Sequence, residues 1–208
     1  MIAAREALER LRDGNRRFVS NAGLRQTVAH LPHPGELASG QTPFAIVLGC
    51  SDSRVPAEIV FDQGLGDLFV IRVAGNIVAP SQVGSVEFAA ERFGTRLVVV
   101  LGHSTCGAIL ATLEELSRPG GGQSPNLRSI VDRIRPALEG LLGTELRHDG
   151  EALVRQAVRA NIRASANHLR HGSQILEHLI LHEGLLVVGA EYSLETGVVD
   201  FFDGLCPE

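Results

Sequence analysis

Ile46-Val47-Leu48-Gly49-Cys50-Ser51-Asp52-Ser53-Arg54 is the stretch from which the rest of this chain is read. The apolar run from Phe44 to Leu48 predicts a buried strand, and Gly49 releases it into Cys50, Asp52 and Arg54. In extended chain, residues two apart point to the same side. A Cys50 thiolate and an Asp52 carboxylate therefore face one small volume, with the Arg54 guanidinium beside them. A metal ion would fill that volume.

Working outward, Leu68 to Val73 and Arg96 to Leu101 predict two further strands, the second too uniformly apolar to be anything but central. Gly102-His103-Ser104-Thr105-Cys106-Gly107 follows at once, so His103 and Cys106 repeat the strand-end placement of Cys50 and Asp52. Helical patterns fill the intervals. They run over residues 2 to 20, with a thin stripe of Leu8, Leu11 and Phe18, and over Ala57 to Asp62 with Pro56 as its first residue. Others cover Gln82 to Phe93, with Val83, Val86, Phe88 and Ala90 on the apolar side, then Ala108 to Leu116, 127 to 139, 151 to 171, and a segment capped by Ser173 and ending near His182. Leu185 to Glu191 and Gly197 to Phe202 close the chain as a hairpin around Ser193-Leu194-Glu195-Thr196. Ala74-Gly75-Asn76 reads as a turn, residues 21 to 43 as a connection broken by Pro32, Pro34 and Pro43, and 117 to 126 as a flexible loop.

Strands alternating with helices predict an α/β fold, a mostly parallel central β-sheet flanked by helices, with an N-terminal helical arm and an antiparallel edge strand. Residues 1–208 are expected to form a single domain, 1–40 the arm and 41–208 the core. The arm's stripe needs a second surface, either its own sheet or a second subunit. Ligand sites in such sheets lie beyond the carboxyl ends of the strands, where both candidate clusters sit.

With 44% hydrophobic and 21% charged residues in 208, the chain can bury one sizeable core. A formal charge of -5 without a dense basic stripe argues against nucleic acid and anionic membranes as partners. The N-terminus is charged from Arg5 and lacks an apolar core, and the longest apolar runs are of strand length, so neither export nor a membrane span is expected. Three cysteines cannot all pair. Reduced thiols in a cytoplasmic protein are the expectation, with Cys206 a bystander near the C-terminus.

Cys50, Asp52, His103 and Cys106 offer two thiolates, a carboxylate and an imidazole, a set suited to tetrahedral zinc. Each residue alone is ordinary; the conjunction on two strand ends is the signal. Four protein ligands would close the shell, which is the structural arrangement. Asp52, however, is a labile ligand that Arg54 can remove as a bidentate pair, and three ligands with an open position make the catalytic arrangement.

Cys50-Ser51-Asp52-Ser53-Arg54 and Gly102-His103-Ser104-Thr105-Cys106-Gly107 resemble the two signature motifs of the β-class carbonic anhydrases. The resemblance extends from Gly14-Asn15-Arg16-Arg17-Phe18 through Phe61-Asp62-Gln63 and Arg72-Val73-Ala74-Gly75-Asn76 to Gly189-Ala190-Glu191-Tyr192. It implies reversible hydration of carbon dioxide to bicarbonate and a proton by attack of zinc-bound hydroxide. One Zn2+ per chain would be held by Cys50, His103 and Cys106, with Asp52 and Arg54 gating the fourth position. It also implies a homodimer or a tetramer of dimers, built partly by the N-terminal helices. Gln41 matches the family's substrate-orienting glutamine, Phe69 matches an apolar wall residue presented to a neighbouring subunit's site, and Gly107 closes the second motif beside the substrate. Phe88 departs, standing where the plant-like branch commonly has tyrosine. A second branch closes its site through a non-catalytic bicarbonate pocket that uses a tryptophan where this chain has Val47. Arg72 matches that pocket's arginine and reads equally as a structural ion-pair partner. The chain is therefore expected in the plant-like branch, without that pocket.

Three rivals share these motifs. A hydrolase of carbon disulfide or carbonyl sulfide would differ in its substrate tunnel, and a zinc-stabilised binding protein would bind metal without turnover. A redox module built on Cys50 and Cys106 lacks a C-x-x-C pair.

Overall fold

The computed structural model describes residues 2–21, 40–118 and 124–205, together with Gly35 and Ala38. Cys206, most of the 21–43 connection and the centre of the 117–126 loop lie outside the described residues.

Five strands form one sheet: β1 (Ala45–Gly49), β2 (Leu68–Arg72), β3 (Leu97–His103), β4 (Leu186–Tyr192) and β5 (Val199–Asp203). Their order is β2-β1-β3-β4-β5, parallel throughout except for the antiparallel β4–β5 pair. Seven α-helices are described: α1 (Ala4–Val19), α2 (Ala57–Val60), α3 (Pro80–Arg92), α4 (Gly107–Ser117), α5 (Pro125–Leu142), α6 (Gly150–His171) and α7 (Gln174–His182). Short 3-10 turns at Ala74–Asn76 and Glu145–His148 add to the predicted elements.

The strands read as unbroken apolar runs because both faces are covered. On one face Ile46, Leu48, Val98, Val100 and Val187 pack under α3 to α7, through Val86, Ile109, Ile134, Leu138, Ile162 and Leu176. On the other, Ala45, Val47, Leu97, Val99, Leu101, Val188 and Ala190 meet α1 and α2 through Ala7, Leu8, Leu11, Val60 and Phe61. Each large side chain removed from water here contributes about 1.5–3 kcal/mol.

The N-terminal helix lies on its own sheet. Gly14 lets α1 approach so closely that a Cβ there would stand 1.8 Å from the Phe61 carbonyl oxygen. Asn15 fixes the contact, donating to the carbonyls of Val60 (3.1 Å) and Gly197 (2.9 Å) and accepting from the Val199 N–H (2.9 Å). Of the predicted stripe, Leu8 and Leu11 are buried, while Phe18 is half-buried against the Tyr192 ring.

Three sequence expectations need correction. Strand β3 runs two residues beyond the expected end at Leu101, because Gly102 and His103 still pair with Glu191 and Tyr192; His103 is its last residue, at the strand end where it was expected. Pro56 is the extended cap of α2, not its first helical residue. Phe88 lies on the outer side of α3, 52% exposed, while Val86, Ala89 and Ala90 form the buried side. Its ring packs with Phe69 and Phe93, at centroid distances of 6.2 and 5.7 Å, beside β2, the edge strand of the sheet.

Candidate metal centre

The parallel register sets β1 and β3 side by side, with Gly49 opposite Leu101, so that the chain leaves both strands at the same end of the sheet. Cys50 is the first residue past β1 and His103 the last of β3. Thr105 then takes a left-handed conformation, φ 52°, which reverses the chain and returns Cys106 as the cap of α4. The ligand-capable atoms of Cys50, His103 and Cys106 all lie within 4.8 Å of one another, and all three residues are buried. The two sulfurs are 4.0 Å apart.

Each of these atoms is oriented by its surroundings. The Gly75 N–H donates to Cys50 Sγ at 3.3 Å. Gly75 stands at φ 70°, where a side chain would also run into Ile134. Its carbonyl accepts from Asn161 Nδ2 at 2.8 Å, which ties the turn to α6. At Cys106 the amides of Ala108 and Ile109 stabilise negative charge on the sulfur from the first turn of α4. His103 Nδ1 lies 2.9 Å from the Ser104 carbonyl oxygen, which can only accept, so Nδ1 carries the proton and donates. That leaves the Nε2 lone pair facing the sulfurs, in a side chain with no exposure and no hydrogen-bond partner for that atom.

A buried imidazole nitrogen without a partner costs about 1–3 kcal/mol. Two sulfurs beside it form a soft-to-borderline donor set, so these residues fit a tetrahedral N/S-binding ion such as zinc. Without an ion the two cysteines share charge unequally. The Cys106 thiol, opposed by burial and assisted by the His103 ring and the Gly75 N–H, holds the Cys50 sulfur well below the usual thiol range. Cys106 is pushed far up, by its hydrogen bond with Cys50 and then by burial. Burial opposes a proton on His103, yet the Cys50 sulfur, the Ser104 carbonyl and the Asp52 carboxylate together raise its pKa. A divalent cation held by Cys50, Cys106 and His103 would relieve this frustration by accepting both thiolates.

Asp52 stands at the margin. Its Oδ2 is 3.8 Å from His103 Nε2, but the carboxylate is turned to Arg54, which donates from Nε to Oδ1 (2.9 Å), from Nη2 to Oδ2 (2.8 Å) and from its backbone N–H to Oδ1 (3.0 Å). These bonds hold the Asp52 carboxyl far below the usual carboxylate range. Of the four predicted ligands, three converge and Asp52 is held beside them by Arg54.

Gly107 is exposed at the start of α4, next to Cys106. Phe69 pairs with Ile46, four residues before Cys50, about 13 Å back along the sheet. Phe69 and Phe88 therefore belong to the aromatic patch near β2, and Gln41 is exposed on the segment entering β1. Within one chain these three residues do not join the triad.

Several contacts that shape the centre escaped the sequence reading. Arg72 ends β2 and donates to the carbonyls of Cys50 (Nε, 3.1 Å) and Asp52 (Nη2, 2.6 Å), so it clamps the metal loop through backbone contacts where an ion pair was one expectation. Ser104 donates from Oγ to Glu195 Oε2 (2.9 Å) and accepts from the Leu194 N–H (3.0 Å), while its own N–H donates to the Tyr192 carbonyl (3.0 Å). The β4–β5 turn thereby braces the carbonyl that orients His103. The only signal was indirect: a glycine between Ala74 and Asn76, and a serine between two ligands.

A mostly parallel α/β sheet with a Cys-His-Cys cluster at its carboxyl end defines a metal-binding enzyme scaffold. Residues 45–199 match the family model described as carbonic anhydrase. Carbonic anhydrase 2 of Mycobacterium tuberculosis is 38% identical over 92% of this chain and 89% of its own length, and the carbonic anhydrase of Mycolicibacterium smegmatis is 37% identical over 93% and 91%. Among solved structures, the β-carbonic anhydrase CcaA superposes with a TM-score of 0.73 at 28% identity, covering 95% of each chain. One of two tetrameric β-carbonic anhydrases from Sordaria macrospora gives 0.73 at 25%, over 88% of this chain and 92% of that one. The chain belongs to the carbonic anhydrase family, in its β class. No described helix is long and apolar enough to cross a membrane.

Proposed function

We propose that this chain catalyses the reversible hydration of carbon dioxide to bicarbonate and a proton, with one zinc held by Cys50 Sγ, Cys106 Sγ and His103 Nε2. The observation that carries the reading is the buried, unpartnered His103 Nε2 facing two cysteine sulfurs. Zinc supplies Lewis acidity there, of the kind that brings the ionisation of a water to about pH 7 in well-known sites.

The protein does the remainder. Three ligands leave a fourth position open, and Asp52 borders it. Arg54 keeps the Asp52 carboxylate turned aside and ionised, so that it serves as a hydrogen-bond acceptor and not as a proton store. Arg72 fixes the backbone between Cys50 and Asp52. The Gly107 N–H, at the amino end of α4, is suited to orienting a bicarbonate oxygen.

Gln41, Phe69 and Phe88 complete the pocket across a subunit interface in this reading. The distance of Phe69 from the triad of its own chain, the place of β2 at the edge of the sheet and the tetrameric Sordaria relatives support it. With Val47 fully buried in β1 and Arg72 engaged with carbonyls, the plant-like branch without a non-catalytic bicarbonate pocket is the better placement. We take residues 1–208 as one domain with 1–40 as its arm, acting in the cytoplasm, where the free thiols of Cys50 and Cys106 stay reduced.

Stopped-flow carbon dioxide hydration over about pH 6.5 to 9, with zinc measured on the same sample, tests the proposal. Activity proportional to zinc content is expected. Full zinc without hydration at any pH would refute it, and parallel assays with carbon disulfide and carbonyl sulfide would expose the alternative chemistry.

A further inference from the structure

The centre described above uses one of eight histidines. Two others, His178 and His182, lie one turn apart on the exposed side of α7, with ring centroids 4.8 Å apart and planes inclined at 48°. That separation of ring centres is one that a shared ion allows once the exposed side chains turn their nitrogens toward it. With metal–nitrogen bonds of about 2.0–2.1 Å, and each ring centre about 1.1 Å behind its nitrogen, two imidazoles on one ion at octahedral to tetrahedral angles have centroids about 4.4–5.2 Å apart. The helix sets this spacing in advance, because residues four apart share a face.

Glu183 follows directly. Its Oε2 holds Arg96 Nη2, while Oε1 lies 3.8 Å from His178 Nε2. Each carboxylate oxygen thus has a separate task, and Oε1 remains on the imidazole side. A side-chain rotation that closes this gap by about 0.5–1 Å brings it to the separation of two ligands on one ion. A cleft of about 260 Å3, lined by Glu91 at the end of α3 together with Gln174, Ile175, His178 and Glu183, sets a second carboxylate on the His178 side. Neither histidine hydrogen-bonds another side chain among the described residues, so both are available.

We propose that His178, His182 and Glu183 form a second, solvent-facing site for a divalent transition cation, separate from the buried triad. Two imidazoles and a carboxylate select borderline ions such as copper(II), nickel(II) and zinc over magnesium or calcium, and water completes the coordination. The site needs no rearrangement of the fold.

Protein carrying its tightly bound metal is titrated calorimetrically with nickel(II) in a non-coordinating buffer. One nickel per chain is expected. His182→Ala should weaken it about 100-fold by removing one imidazole arm of the chelate, and Glu183→Gln should weaken it less. The copper(II) complex should show electron paramagnetic coupling to two imidazole nitrogens in the wild type and to one in His182→Ala. Both histidines are exposed, so the His178→Ala/His182→Ala double variant should keep the wild-type circular dichroism and hydration rate. Nickel binding unchanged in that double variant, or absent from the wild type, would overturn the proposal.

Discussion

The Cys50–His103–Cys106 triad and the Asp52–Arg54 pair come within 3.8 Å of each other and are built on opposite terms. The triad is buried, braced from behind by Gly75, Ser104 and the first turn of α4, and incomplete, since His103 Nε2 has no hydrogen-bond partner. The pair is more exposed and complete in itself, with three hydrogen bonds between residues two apart in the chain. A buried set with an unmet valence is a place for an ion. A satisfied pair at the rim is a place for something that moves, because exposed ion pairs are held weakly and exchange readily.

The largest effect should come from breaking the incomplete side. Cys106→Ser is expected to lower zinc affinity by about 100-fold or more and to abolish hydration, since the thiolate supplies both charge and geometry. Metal analysis after dialysis decides it, and full occupancy in the variant would end the assignment of Cys106 as a ligand.

Next comes Arg54→Ala, which frees Asp52 to turn toward the triad. Zinc should stay bound while kcat/KM falls about 10–100-fold. Wild-type rates with an unchanged pH profile would reduce Arg54 to a surface partner.

The brace should matter less. Ser104→Ala removes the hydroxyl that binds Glu195 and the Leu194 N–H, and zinc release to a chelator is expected to quicken about tenfold with the fold intact. An unchanged release rate would mean that the backbone alone positions His103.

The smallest effect is on stability and has a definite sign. Arg54 lowers the folded-state pKa of Asp52, so the pair's contribution is complete above the ordinary carboxylate value near pH 4 and fades as pH falls toward the depressed folded value. Urea midpoints of wild type and Arg54→Ala should therefore differ by a constant amount from about pH 5 to 8 and converge in acid. A gap that widened in acid would contradict the pairing.

Much of this was legible in the sequence because it is periodic or punctual. Uniform runs such as Leu97–Leu101 can only be central, and three ligand residues placed after two such runs must meet if the strands are parallel neighbours. The illegible part depends on contacts between distant residues. Phe88 looks like a core residue by helical spacing, yet α3 buries its small alanines and leaves the phenyl ring outside with Phe69 and Phe93. Arg72 binds carbonyls 20 and 22 residues away, which no periodicity records. Nor did the apolar run show the end of β3, because Gly102 and His103 are kept in the strand by Glu191 and Tyr192.

The pairing of β3 with β4 has a consequence for the order of events in folding. Leu97 pairs with Leu186, so closing that half of the sheet brings together residues far apart in the chain, an entropic cost of about 4 kcal/mol beyond the constant for any loop. All three candidate ligands lie earlier, between Cys50 and Cys106, in the half that β2, β1 and β3 assemble over shorter separations. The parts that shut them in come later in the chain, Asn161 of α6 within that long connection and the Tyr192–Glu195 turn beyond it. During synthesis, the ligands can therefore meet before the elements that seal them exist, and metal capture can precede burial.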